Sequence, residues 1–161
     1  GSQEPGSPNL NDDAWLWGGT FEAIHYTIAH GVRNEEDPDA RTSLMPAFGE
    51  TGVLSATEIG QVADYVLSLS GKEHDEDKAA QGAPIYAAQC AACHGAEGRG
   101  NEILGAPNLT DALWLYGSSR DKIVTQIANP KHGVMPPWDD RLDEATLKKL
   151  TVYVHALGGG Q

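Results

Sequence analysis

Both cysteines of the 161-residue chain lie in one five-residue stretch, and a histidine directly follows the second of them. The stretch runs Cys90-Ala-Ala-Cys93-His94, and C-x-x-C-H is the attachment signature of c-type haem. Two thiols must reach the two vinyl groups along one porphyrin edge, while the next residue turns its imidazole onto the iron. Because a single helical turn places all three side chains, the sequence predicts covalent haem c on Cys90 and Cys93, with His94 as the proximal iron ligand.

Other uses of a C-x-x-C pair fit the chain less well. A redox dithiol of the thioredoxin type needs a βαβ context, and no β-rich run surrounds this pair. Structural zinc needs four ligands, but the chain has no second cysteine pair. A disulfide between cysteines this close is strained.

A methionine as second axial ligand raises the reduction potential of a haem and suits electron transfer. The chain has two methionines, Met45 and Met135. Met135 lies after a glycine-containing loop and before Pro136, and proline stiffens the segment that must hold a thioether against iron. We therefore predict Met135 as the distal ligand, against the alternative that it is a packed core methionine.

Other candidate residues have weaker claims on the haem. His132 is the alternative distal ligand if Met135 does not bind. The remaining histidines are predicted to be solvated or hydrogen-bonded; they are His25, His30, His74 and His155. Three aromatic residues are predicted to line the haem pocket or to bond its propionates, although core packing explains them equally well; they are Trp114, Tyr116 and Trp138.

Composition restricts the class of partner. The net charge of −12 argues against nucleic acid, because phosphates need basic patches. An acidic surface suits a basic protein partner, or serves solubility alone. No apolar run approaches the ~20 residues of a membrane span, and no signal peptide is present. We interpret Gly1-Ser2 as a protease-cleavage scar that replaces the native N-terminus.

The chain contains an internal repeat. The segments 8–12 and 107–111 share Pro-Asn-Leu, and the segments 15–18 and 114–117 share an aromatic pattern that ends in glycine. Farther on, Met45-Pro-Ala-Phe48 corresponds to Met135-Pro-Pro-Trp138. The first copy carries extra acidic residues over 33–43, which are predicted to form a surface loop.

Each copy has the same predicted helical plan. Middle helices are expected over 20–29 and 119–128, with Thr20 and Ser118 or Ser119 as N-caps. Closing helices are expected to begin near 55–58 and 143–146 and to stop at Gly71 and Gly158. A leading helix is expected over 83–93, with Pro84 in its first turn.

These elements predict a first domain over 8–71, a charged linker over 72–78 and a complete second domain over 79–160. Acidity is uneven between the copies, since residues 1–77 hold 15 acidic and 3 basic residues and residues 78–161 hold 8 of each. Nothing precedes the first copy to attach a haem, although Met45 corresponds to Met135. Three explanations stay open: removal of the front part, its absence from the given sequence, or a swapped dimer in which Met45 serves another molecule's haem.

The order of these motifs resembles the dihaem cytochrome c subunit (subunit III) of cbb3-type cytochrome oxidases. Residues 90–95, 105–111, 114–117 and 132–136 are similar to its second haem domain, and residues 11–19 and 45–49 to its first. The resemblance implies an all-α chain with two tandem class I cytochrome c domains and His/Met ligation. The first domain is N-terminally incomplete, since its C-x-x-C-H and leading helix are missing, so one covalent haem is expected and a second is left open.

The resemblance also implies a function. Such a subunit is anchored by an upstream transmembrane helix, which this chain lacks, on the periplasmic side of the bacterial inner membrane. It passes electrons from a soluble cytochrome c to the catalytic subunit of the oxidase, so it is not an enzyme on its own and needs no small-molecule substrate. The alternatives are a free-standing periplasmic dihaem cytochrome that serves a dehydrogenase, and a haem-based ligand sensor.

Overall fold

The computed structural model describes residues 8–111 and 113–158, and helices joined by irregular segments make up this part. Its six helices are α1 (Phe21–His30), α2 (Ala56–Leu69), α3 (Glu76–Gln89), α4 (Ala91–His94), α5 (Arg120–Ala128) and α6 (Glu144–Leu157). Only isolated β-bridges accompany them in the described residues, which confirms the all-α prediction. Gly1-Ser2 and the predicted domain end at residue 160 lie outside the described residues.

The helix starts follow from local capping chemistry. The side chains of Thr20, Ser119 and Asp143 each accept a hydrogen bond from a backbone N–H in the first turn of their helix. Ser55 forms a capping box with Glu58, in which each side chain bonds the other's backbone N–H. These caps satisfy donors that a helix start leaves unpaired, and they confirm the predicted starts of four helices.

The leading helix differs from its prediction. It begins at Glu76 rather than near residue 83, because Asp75 caps it by accepting from the N–H of Lys78. Three of the seven residues of the predicted linker 72–78 are therefore helical, and Pro84 lies in the helix interior instead of the first turn. The helix also breaks at Cys90, after which a separate turn, α4, carries the histidine.

The chain packs into two units, which differ from the predicted ranges 8–71 and 79–160. We call residues 45–131 the central unit, and residues 8–44 with 132–158 the terminal unit. The central unit packs α2 against α3 and α5, and the terminal unit packs α1 against α6. Each unit thus combines a middle helix from one copy with the closing helix of the other.

Each unit has its own apolar core. The central core is built from the buried face of α2 together with Tyr86, Cys90 and Phe48. The terminal core is built from Ile24, Ile28 and Leu147, against which Trp15 and Trp138 pack. Charge is similar in the two units, with 11 acidic and 6 basic residues in the central unit and 11 and 5 in the terminal one. The acidity that is concentrated in one sequence copy is therefore shared between the packed units.

In the part of the chain that the structure describes, no helix is both long enough and apolar enough to span a bilayer.

Candidate haem-attachment site

The predicted attachment residues lie on one turn at the end of α3. The backbone N–H groups of Cys93 and His94 both donate to the carbonyl of Cys90, at 3.1 and 3.0 Å. Cys90 is buried in the central core, whereas Cys93 is exposed. The two thiols thus lie on one turn, with Cys90 against the core and Cys93 at the surface.

Both cysteines are free thiols. Burial, with a smaller contribution from neighbouring Cys93, raises the pKa of Cys90 to about 11. A reactive redox dithiol has a lowered thiol pKa, so the environment of Cys90 disfavours that alternative. Zinc is disfavoured too, because the described residues form only one group of potential metal ligands, and that group does not include the cysteines.

A backbone carbonyl fixes the orientation of the His94 ring. Its Nδ1 lies 3.1 Å from the carbonyl oxygen of Pro107, and since a carbonyl only accepts, Nδ1 carries the proton in this contact. Nε2 is then the nitrogen that can bind a metal. A carbonyl that accepts a hydrogen bond from the other ring nitrogen fixes the tautomer of a ligating histidine. Burial lowers the pKa of His94, although the bond to Pro107 opposes this effect. A neutral imidazole is the form that ligates metal.

Tyr86 fastens the attachment turn to α3. Its hydroxyl donates to the carbonyl of Gly95 at 2.9 Å, and burial raises the pKa of Tyr86 to about 12. The phenol therefore stays a neutral donor over the physiological range.

Gly100 holds the other side of the attachment turn, since its N–H donates to the carbonyl of His94 at 2.8 Å. Gly100 has φ of +84°, and an added Cβ would lie 2.6 Å from the carbonyl oxygen of Ala106.

Replacing Tyr86 with phenylalanine is expected to destabilise the haem-loaded chain by about 1 kcal/mol, because the Gly95 carbonyl loses its donor. Urea unfolding measures the effect. The matched control is Tyr153→Phe on the exposed side of α6, where a change within about 0.5 kcal/mol is expected. Equal effects of the two substitutions would show that the Tyr86 hydroxyl does not stabilise the turn.

The predicted pocket residues divide between the two units. Trp114 packs against the central core, and its Nε1 donates to the carbonyl of Asp111 at 3.1 Å. Tyr116 belongs to the central unit as well and is half-buried. Trp138 packs in the terminal core instead. The structure therefore brings Trp114 and Tyr116, but not Trp138, into the unit that holds the cysteines.

The two methionines divide in the same way. Met45 packs against the central core, which includes Cys90. Met135 packs against the terminal core and pairs with Val32 through two backbone hydrogen bonds of 3.0 and 2.9 Å. His132, the alternative ligand, is half-buried in the terminal unit.

Two side-chain clusters carry no signal in the sequence. Asp64 is almost fully buried in α2 and forms a two-pronged ion pair with Arg120 of α5, with the closest atoms 2.7 Å apart. In the terminal unit, His30 lies 2.8 Å from a carboxylate oxygen of Asp37 and 3.9 Å from one of Asp139. Arg120 is 56 residues from Asp64, and Asp139 comes from the other sequence copy than His30 and Asp37, so residue spacing could not reveal either cluster.

Comparison with known proteins identifies the family of the chain. A family model described as cytochrome C oxidase, cbb3-type, subunit III matches residues 77–154, a range that includes α3, the attachment turn and most of α6. A protein named Cbb3-type cytochrome c oxidase subunit CcoP from Cereibacter sphaeroides is 53% identical over 97% of this chain and 54% of its own length. The chain belongs to the cbb3-type subunit III family.

Two further relatives extend this finding to other bacteria. The proteins named Cbb3-type cytochrome c oxidase subunit FixP from Azorhizobium caulinodans and Bradyrhizobium sp. are each 52% identical to the chain. The match covers 100% and 97% of this chain, respectively, and 54% of each relative. The chain therefore spans about half the length of the curated relatives it matches.

Proposed function

We propose that this member of the subunit III family carries one covalent haem c on Cys90 and Cys93, and that it transfers single electrons. The observation that supports this most directly is the attachment turn, where His94 is oriented by Pro107 with Nε2 left for iron. When bound, the haem iron supplies one-electron chemistry at a potential that the axial ligands and burial set.

The side chains around the turn fit this group. The thiols of Cys90 and Cys93 are both available for thioether bonds, and the Cys93 side leaves one edge near solvent. Cys90 and Trp114 belong to the apolar surroundings on the protein side, where burial tunes a redox centre. An edge that is accessible on one side and packed on the other suits electron exchange with a protein partner.

For the whole assembly, we propose a relay from a soluble cytochrome c to the catalytic subunit of a cbb3-type terminal oxidase, on the periplasmic side of the bacterial inner membrane. The chain then has no catalytic role of its own. The names of the relatives support the assignment to the oxidase. The net charge of −12, shared between both packed units, supports a basic donor.

Intact mass with haem staining tests the proposal. The chain, produced where haem is attached to C-x-x-C-H proteins, is expected to carry one haem that survives denaturation. The double variant Cys90→Ala/Cys93→Ala is expected to lose all of it, and each single variant is expected to keep one thioether bond. A wild-type chain with two unmodified thiols, or a double variant that keeps a covalent haem, would contradict the proposal.

A further inference from the structure

The structure assigns the second axial ligand of this haem to Met45 rather than to Met135: we propose that the two sequence copies exchange their methionine loops and closing helices. The inference rests on the proposed function, because it names the iron ligand of the proposed haem. It replaces the prediction from the sequence, in which His94 and Met135 of the same copy form the ligand pair.

The loop that carries Met45 is fastened to the helix that follows the attachment turn. Three residues after Met45, Phe48 is buried in the central core. The backbone N–H groups of Gly49 and Glu50 then both donate to the carbonyl of Ala128, at 3.1 and 3.3 Å. Ala128 is the last residue of α5. The methionine loop of the first copy is thus anchored to the middle helix of the second.

The closing helix of the first copy also belongs to the haem-bearing half. Helix α2 lies so close to α3 that a Cβ on Gly82 would meet the backbone of Gln61. The rings of Tyr65 and Tyr86 are 5.0 Å apart, and Tyr86 is the residue that holds the attachment turn. The loop residues after Met45 and the closing helix that follows them therefore both pack on elements of the unit that carries Cys90 and His94.

The terminal unit repeats the same joint with the copies reversed. There the N–H groups of Trp138 and Asp139 both donate to the carbonyl of Ala29, at 2.8 and 3.2 Å. Ala29 lies at the end of α1, and α6 packs against α1. Each methionine loop thus closes on the middle helix of the other copy. In both units, two adjacent N–H groups after the methionine donate to the corresponding alanine carbonyl at the end of a middle helix, although the donors are shifted by one residue between the copies. The joint is therefore a repeated feature of the fold.

The short connection between the copies explains the exchange. Only residues 70–75 separate α2 from α3, and helices joined by a short loop pack as neighbours. Gly71, with φ of +65°, turns the chain at this point. The closing helix of the first copy is consequently placed on the leading helix of the second. Met45 precedes that closing helix, so it reaches the unit that holds His94.

The deciding experiment compares Met45→Leu with Met135→Leu in the haem-loaded chain. The readouts are the far-red absorption band of thioether-ligated ferric haem, the ferric spin state and the midpoint reduction potential. We expect Met45→Leu to lose the band, to become high-spin or five-coordinate and to fall in potential. We expect Met135→Leu to keep the wild-type spectrum and potential. The reverse result, or loss of the band in both or neither variant, would overturn the inference.

A ligand replacement separates ligation from folding. Met45→His supplies another strong axial ligand, so it is expected to restore a low-spin spectrum without the thioether band. Met135→His is expected to leave the thioether band unchanged. If Met45→His stays high-spin while circular dichroism shows a folded chain, Met45 does not face the iron.

The covalent haem count in each sample distinguishes the two proposals. No haem in the wild type contradicts the proposed function, whereas one haem with Met135 ligation contradicts only this inference.

Discussion

Gly82→Ala is expected to destabilise the central unit by about 3 kcal/mol, which is a large effect for one methyl group. The added Cβ would overlap the carbonyl oxygen of Gln61 and lie 2.9 Å from the backbone nitrogen of Val62. Both contacts are with the backbone of α2, so no side-chain rotation relieves them, and α2 must move away from α3. Urea unfolding of the haem-loaded chain, followed by far-UV circular dichroism, measures the loss.

The same substitution at Gly60 is the matched control, because Gly60 is also a helical glycine at a packed position of the central unit. Its added Cβ would lie 3.0 Å from Nη2 of Arg120, the end of a flexible side chain. Alanine also gains about 1 kcal/mol of helix propensity over glycine. We therefore expect Gly60→Ala to change the free energy of unfolding by no more than about 1 kcal/mol. Similar losses at the two positions would show that the α2–α3 contact is not tight at Gly82.

The features that the sequence predicted well are those that a few neighbouring residues decide. The N-caps Thr20, Ser55, Ser119 and Asp143 bond to N–H groups within their own first turn, so their chemistry is visible in any short window. The attachment turn is local in the same sense, since Cys90 and His94 are joined by an i to i+4 hydrogen bond. Its cofactor could be predicted from five residues.

The start of α3 was missed because its buried face is made of small residues. Ala79 and Gly82 are buried, yet neither contributes to a pattern of large apolar side chains, and the charged residues around them suggested an exposed linker. Packing at this point depends on the close approach of two backbones rather than on apolar volume. Pro84 is compatible with the helix interior because it lies on the exposed face.

The pairing of the halves could not be predicted from the repeat. Two similar copies offer the same donors and acceptors whether a loop closes on its own middle helix or on the other one. The bonds to Ala128 and to Ala29 would look alike in both arrangements. The length of the segment between α2 and α3 decides which of the two arrangements forms. That length can be judged only when the first residue of α3 is known. The sequence places the start of α3 seven residues too late, so it does not reveal which methionine lies in the same unit as His94.

Arg120→Ala is expected to cost about 3 kcal/mol at neutral pH, because it leaves the carboxylate of Asp64 buried without its partner. Asp64 has 1% relative exposure, and Arg120 bonds it through Nε and Nη2 while also donating to the carbonyl of Gly60. The pair joins α2 to α5, the two helices that hold Met45's loop. Urea unfolding measures the loss, and Arg120→Lys is expected to recover only part of it, since lysine cannot form the planar fork.

The pH dependence identifies the charge as the cause. Burial alone would raise the pKa of Asp64, but the hydrogen bonds and charge of Arg120 outweigh it and hold the pKa below its ordinary value of 3.8. The wild-type stabilisation is therefore present above pH 3.8 and is lost as the pH falls through the lowered pKa of the folded state. In Arg120→Ala only the backbone N–H of Asp75 and the charge of Lys78 still oppose burial. The pKa of Asp64 is therefore expected to rise, and protonation of Asp64 in acid is expected to reduce the destabilisation of the variant. The difference in stability between the two proteins should be largest near neutral pH and shrink on acidification.

An exposed ion pair in the same unit provides the comparison. Arg99 and Glu97 lie 3.2 Å apart with about three quarters of each side chain exposed, and such pairs contribute about 0–1 kcal/mol. Arg99→Ala is expected to change stability by less than about 0.5 kcal/mol, with little dependence on pH. If Arg120→Ala were equally mild, or if its effect were the same at pH 7 and pH 4, the buried carboxylate of Asp64 could not be what Arg120 stabilises. In that case the apolar core shared by α2 and α5, which includes Val62 and Ile123, would hold the two helices together without help from the ion pair.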